Sequence, residues 1–286
     1  MKKLLFLILI FIADYGYTTA QVIPVITPAP VKKPTTKAPA KKKQVPAAQT
    51  TTQTAVETPA PKPDILGIPM VFVKGGSFDM GSNKGEDREK PVHRVTVSSF
   101  NIGKTEVTQA QWRAIMGNNP SNFQNCDDCP VENVSWYDAQ DFIDKLNQKT
   151  GKTYRLPTEA EWEFAAKGGN SSRGYAYSGD DELYRVAWFK DISNNQTHPA
   201  GQKKANELGI YDMSGNVCEW CQDWYAADYY ANSPASDPHG PTSGSFRVLR
   251  GGGWEGAAQT CPVAGRFSDS PGYREINLGF RLVLVP

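Results

Sequence analysis

No aromatic side chain occurs between Gln21 and Pro63, whereas all seven tryptophans fall after that stretch. A segment built almost entirely from Pro, Ala, Thr, Lys, Val and Gln, with no hydrophobic period, buries too little apolar surface to offset the entropy of ordering it. Packed structure is therefore expected in residues 64–286. The linker itself is expected to be extended: its prolines favour polyproline II, and Lys32, Lys33, Lys37 and Lys41 to Lys43 repel one another. It reads as a solvated spacer or a weak electrostatic tether to an anionic envelope surface.

The charge divides at the same boundary. Residues 1–63 carry nine lysines against Asp14 and Glu57, a net of +7, so a chain of +1 overall leaves −6 on the rest. A mildly acidic globule gives no footprint for nucleic acid. Lys2 and Lys3 precede nine unbroken apolar residues, Leu4 to Ile12, and Thr18 and Ala20 stand at −3 and −1 of a junction before Gln21. That pattern predicts a signal peptide over 1–20 and an exported protein, periplasmic, envelope-bound or secreted. Nine apolar residues fall short of the ~20 a spanning helix needs. No cysteine adjoins the junction, which disfavours a bacterial lipoprotein. Mean hydropathy of −0.50 excludes a polytopic membrane protein.

Alternating apolar and β-branched residues predict strands over 70–78 and 92–102. Thr108 can cap a helix over 109–116 that ends at Gly117, and Ser135 one over 136–150 that ends at Gly151. Thr158 with Glu161 forms a complete capping box for a helix over 159–167. Beyond Gly169 no helical period persists, and short strand-like pieces alternate with turns rich in Gly, Asn, Asp, Ser and Pro.

Several common chemistries are excluded by pattern. His93, His198 and His239 are scattered, without the paired spacing of a zinc hydrolase. There is no GxSxG elbow. Gly251 to Gly256 satisfies GxGxxG, but Pro262 follows within six residues and leaves no room for the helix of a dinucleotide fold. Cys126 with Cys129 and Cys218 with Cys221 could supply a four-thiolate zinc site, but an oxidising compartment favours disulfides. We expect Cys126–Cys129 and Cys221–Cys261 to pair and Cys218 to stay free; spacing alone leaves other connectivities open. Asp212 and Glu219 bracket Gly215 and Asn216, an arrangement of carboxylates and backbone carbonyls suited to Ca²⁺. The same run also reads as a capped turn with Glu219 paired to an arginine.

Taken in order, these segments resemble the sulfatase-modifying-factor family, founded on the formylglycine-generating enzyme. The landmarks are Met70 to Gly81, Glu106 to Gln109, Pro130 to Trp136, Arg155 to Glu163, Gly209 to Trp220, Arg247 to Gly252 and Asn277 to Arg281. The resemblance implies a compact α+β single domain of C-type lectin-like type, low in regular secondary structure. It also implies an oxidase that converts a sulfatase cysteine to formylglycine with O₂ and a copper ion held by two cysteines. Counted without gaps, Gly253 replaces the family's active-site serine, Gly256 the first copper cysteine, and Cys261 stands at the second. One thiolate cannot provide a bis-thiolate copper(I) site.

The family's calcium ligands carry over to Asp212, Gly215, Val217 and Glu219. The stretch 254–277 resembles the ligand-facing region of related lectin-like domains, which makes Trp254, Glu255, Arg266, Tyr273 and Arg274 the expected contacts. Two functions follow from the resemblance. One is a non-catalytic exported module of the cell envelope that binds a ligand, a protein or an envelope polymer; the other is the copper oxidase, with Cys261 as its remaining catalytic thiol.

Overall fold

The computed structural model describes residues 68–285. The expected leader (1–20) and linker (21–63) lie outside the described residues. The chain opens with β1 (Met70–Val73), β2 (Gly76–Met80), β3 (His93–Val97) and β4 (Phe100–Gly103). Helices α1 (Gln109–Met116) and α2 (Trp136–Thr150) follow, then β5 (Tyr154–Arg155), α3 (Glu159–Ala166) and α4 (Leu183–Val186). The remainder is β6 (Cys218–Trp224), β7 (Arg247–Arg250), β8 (Arg266–Asp269), β9 (Leu278–Gly279) and β10 (Val283–Leu284). Short elements and long loops make this a single α+β domain.

The three longer helices begin where local chemistry dictates. Thr108, Ser135 and Thr158 each accept a hydrogen bond from the backbone N–H three residues on, and the residue there reaches back to the cap. Gly117 and Gly151 end α1 and α2 in the left-handed region, at φ of 80° and 68°. α4, which has four residues, is too short to leave a period in the sequence.

Each of the two long strands expected near the start is instead a pair of strands in different sheets. β1 pairs antiparallel with β4, while β2 pairs with β3. Both chains change sheet at one corner, where the Gly75 N–H donates to Ser99 Oγ at 2.9 Å. A β-carbon on Gly75 would lie 2.6 Å from the Val97 carbonyl oxygen, so only glycine admits this crossing.

The carboxyl-terminal β10 inserts between β4 and β5 in the sheet ordered β1-β4-β10-β5, and so ties the end of the domain to its beginning. A second four-stranded sheet, ordered β8-β7-β6-β9, separates two cores. One core gathers Phe78, Val95, Trp162, Phe164 and Cys221; the other gathers Trp112, Phe142, Trp220, Cys218 and Phe280. Side chains of adjacent strand residues face opposite sides of a sheet. On β6, Trp220 and Cys221 therefore address different cores, as do Val248 and Leu249 on β7.

This alternation corrects the expected disulfides. Cys126 and Cys129 are bridged, but Cys221 and Cys261 are both free thiols. Cys221 belongs to the first core, whereas Cys261 packs with Leu183, Val186 and Phe189 around α4. Cys218 is free as expected.

Candidate functional site

A cleft of about 440 Å³ opens above the sheet β8-β7-β6-β9. Its apolar floor is Leu249 of β7, Phe267 of β8, Leu278 of β9 and Cys218 at the start of β6. Leu249 and Phe267 are direct cross-strand partners, which puts both on one face. The rim carries Glu255, Asp269, Tyr273, Glu275 and Asn277, and one wall is formed by Gly252, Gly253, Gly256 and Thr260.

The glycine wall follows from a tight return of the chain. After β7, Gly251 and Gly252 take φ of 92° and 69°, and the Gly256 N–H closes a turn on the Gly253 carbonyl at 2.9 Å. The segment that comes back packs directly on these backbones. A β-carbon on Gly252 would sit 2.7 Å from the Thr260 carbonyl oxygen and 3.0 Å from Cys261 Sγ. One on Gly256 would run into Thr260 Oγ1, itself held by the Ala257 carbonyl at 2.8 Å.

Both thiols near the cleft are held as neutral SH groups. Cys218 donates to the Arg250 carbonyl at 3.2 Å, and burial pushes it up to about 12. Cys261 is fully buried, and desolvation pushes it up to about 11. Thiolate is scarce in either at neutral pH.

Of the five contacts expected from the sequence, Glu255 and Tyr273 line the cleft. The other three are corrected. Trp254 is buried, donates from Nε1 to the Ile276 carbonyl at 3.1 Å and meets Phe123 edge-on. Arg266 is buried and grips Glu159 through Nε at 2.6 Å and Nη2 at 2.8 Å, with its guanidinium 3.9 Å from the Tyr230 ring centre. Arg274 is exposed but grips Asp138 at the first turn of α2 through Nε and Nη2, at 2.7 and 2.8 Å. Large apolar or charged residues near a loop gave no sign of which way they turn. Asp269, Glu275 and Asn277, which do face the cleft, carried no distinguishing spacing.

The sulfatase-modifying factor enzyme 1-like domain family matches residues 55–285. The chain belongs to that family. Among its relatives, the chaperone protein LppX of Paenibacillus barcinonensis is 37% identical over 245 residues, covering 68% of this chain and 81% of LppX. The formylglycine-generating enzyme of Streptomyces coelicolor is 33% identical over 281 residues, covering 74% of this chain and 87% of the enzyme. The solved structure of Treponema denticola variable protein 1 is 38% identical, has a TM-score of 0.71, and is covered to 95% by 76% of this chain. The chain spans about two fifths of the curated serine/threonine-protein kinase Pkn1 of Chlamydia pneumoniae, of which it covers 39%. Among the described residues, no helix is long and apolar enough to cross a membrane.

Asp212 and Glu219, the carboxylates that the resemblance offers for calcium, are both buried. Asp212, at φ 57°, and Gly215, at φ 81°, turn the loop that leads into β6. Asp212 Oδ2 accepts the Gly201 N–H at 2.6 Å, while its Oδ1 is buried without a partner. That oxygen suits a hard cation. Glu219 is already engaged: Arg281 holds both its oxygens at 2.6 Å, and Trp162 Nε1 donates to Oε2 at 2.7 Å. The pairing of Glu219 with an arginine, one of the two readings of this run, is thus present.

Glu106, which opens one of the family landmarks but was not expected as a ligand, lies close to Asp212 and Glu219. It is 1% exposed, and both its carboxylate oxygens lack partners. Burial and then the charge of Asp212 raise it well above the usual carboxylate range; burial raises Asp212 to about 6. Among the described residues, no three His, Cys, Asp or Glu side chains converge as a metal-binding group. A cation here would therefore rely on backbone carbonyls.

Proposed function

We propose that this chain is an exported, non-catalytic member of its family, a cell-envelope module whose cleft holds a ligand or a partner's side chain. The observation that carries this reading is the glycine wall. Gly253 and Gly256 stand where the family resemblance implies a serine and a copper-binding cysteine, and Thr260 Oγ1 fills the space a side chain on residue 256 would need. A cleft with an apolar floor and a few convergent polar groups is the usual form of a small-ligand site. The leader-like residues 1–20 support export, and the likeness to a protein named a chaperone supports a partner-binding role.

The oxidase reading rests on family membership and on Cys261, the one thiol at a copper position. The cleft would then have to supply a second sulfur donor. Cys218 lies on its floor, but as a neutral thiol bonded to the Arg250 carbonyl.

We also propose that one calcium ion is held by Asp212 and the carbonyls of Gly215 and Val217, with Glu219 contributing an oxygen it shares with Arg281. The unpartnered Asp212 Oδ1 supports this. Such an ion would add positive charge beside Asp212 and Glu219, which now face Arg281 and Lys203.

Co-sedimentation with isolated envelope fractions tests the binding role. Wild type is expected to sediment with the envelope, and Asp269→Trp, which fills the cleft from the same face of β8 as Phe267, to remain in solution. Equal retention of the two proteins would remove the cleft from the function.

A further inference from the structure

The cleft has charges of one sign only. Its charged lining residues are Glu255, Asp269 and Glu275, and no Lys, Arg or His is among the described lining residues. The partners of these carboxylates orient them without neutralising them. Glu275 accepts from Tyr273 Oη at 2.9 Å and from the Ile276 N–H at 3.0 Å; Asp269 accepts from the Ser270 N–H at 2.7 Å; Glu255 accepts from Asn277 Nδ2. All four donors are uncharged. Asn277 is also a lining residue, and its Oδ1 is a buried acceptor without a partner.

Nearby arginines are engaged elsewhere: Arg247, the cross-strand partner of Asp269, lays its guanidinium against the rings of Trp136 and Trp224 and donates to the Gln222 carbonyl at 2.6 Å. Arg274 is paired with Asp138, Arg266 with Glu159 and Arg250 with Glu163. Arg88 lies 4.6 Å from the centre of the Phe267 ring and is paired with Glu86. Glu255 is raised by burial and by the charge of Glu275, so the two carboxylates feel each other.

A concave, partly desolvated site with walls of one sign concentrates counter-charge. Beneath the carboxylates lies the apolar strip Leu249, Phe267 and Leu278, long enough to cover methylene groups. Lysine and arginine side chains, and simple alkyl diamines, combine these two properties: an aliphatic stem and a cationic head.

We propose that the cleft recognises a primary ammonium or guanidinium group carried on an aliphatic stem. Glu255, Glu275 and Asp269 meet the cation, Asn277 Oδ1 accepts one of its N–H groups, and Leu249 and Phe267 pack on the stem. This rests on the reading of the cleft as the binding site and adds the class of ligand that it selects.

Calorimetric titration of the full chain with five probes tests it. Four are blocked pentapeptides, Gly-Gly-X-Gly-Gly, with X as Arg, Lys, norleucine or Glu; the fifth is 1,5-diaminopentane. The Arg and Lys peptides are expected to bind at least tenfold tighter than the norleucine peptide, with the gap closing between about 50 and 500 mM salt as screening shortens the field. Glu255→Gln and Glu275→Gln should each weaken the cationic peptides about three- to tenfold at unchanged melting temperature, and leave norleucine binding unaltered.

Diamine binding as tight as that of the peptides would assign the site to a free amine. Peptide binding without diamine binding would assign it to a protein side chain. Cationic binding that survives the Glu255→Gln/Glu275→Gln double variant overturns the proposal. So does equal binding of the norleucine peptide; if that binding is lost in Asp269→Trp, the cleft remains the binding site and only its charge selectivity fails. Absence of binding by every probe overturns the proposal.

Discussion

Thr260 Oγ1 occupies the position into which a side chain on Gly256 would project. The hydroxyl is fixed there by the Ala257 carbonyl, and the backbone that carries it packs on Gly252. A cysteine at residue 256, the position at which the family resemblance implies a copper ligand, would therefore collide with the loop as it stands.

The wild-type chain is accordingly expected to produce no aldehyde from a Cys-x-Pro-x-Arg peptide supplied with copper and oxygen. Gly256→Cys alone should lower the melting temperature without conferring turnover, because Thr260 must first move. The mass spectrum of the peptide reads the result directly. Turnover by wild type that is lost in Cys261→Ser would return the chain to the oxidases.

Calcium is expected to raise the melting temperature of wild type and to leave Asp212→Asn unaffected, since a ligand of the native state stabilises it by mass action. Glu219→Gln is the poorer probe. It would leave Arg281 unpaired at full burial, a loss of about 3–5 kcal/mol with or without an ion. Identical wild-type melts in calcium and after exhaustive chelation would remove the ion from the account.

Thiol counting checks the sulfur chemistry. Denatured, unreduced protein should take up three alkyl groups, on Cys218, Cys221 and Cys261, and five after reduction. Uptake of a single group before reduction would show that Cys221 and Cys261 are joined after all.

Glu132 supplies a separate pH test. It is fully buried, with Oε1 accepting the Phe123 N–H at 2.8 Å and Oε2 unpartnered, and burial raises it from 4.5 to about 7. The folded state therefore binds a proton more tightly than the unfolded state. Below about 4.5 the group costs nothing; as pH rises through about 7 the native state must carry a buried charge, and stability falls. Denaturant melts should show wild type losing stability relative to Glu132→Gln across this window. A difference that stays constant with pH would refute the assignment.

The local grammar of the chain was legible before any fold. Thr108, Ser135 and Thr158 mark three helix starts, and Gly117 and Gly151 mark two ends, because capping depends only on residues within one turn. The change of composition near residue 63, the acidic balance of residues 64–286 and the ordered family landmarks are likewise properties of the string itself. So is the absence of a cysteine at residue 256.

Long-range facts were not legible. Strand periodicity could not reveal that 70–78 splits between two sheets, because the cause is a close approach of Gly75 to the chain at Val97, 22 residues away. Cysteine spacing could not reveal that Cys221 faces one core while Cys261 packs around α4; the side of a sheet on which a thiol emerges is set by register. Arg266 and Trp254 looked like ligand contacts, yet Glu159 and the Ile276 carbonyl draw them inside. Glu255, Asp269 and Glu275 are acidic in any conformation, but only the tertiary structure gathers them around one apolar strip with no Lys, Arg or His among the described lining residues.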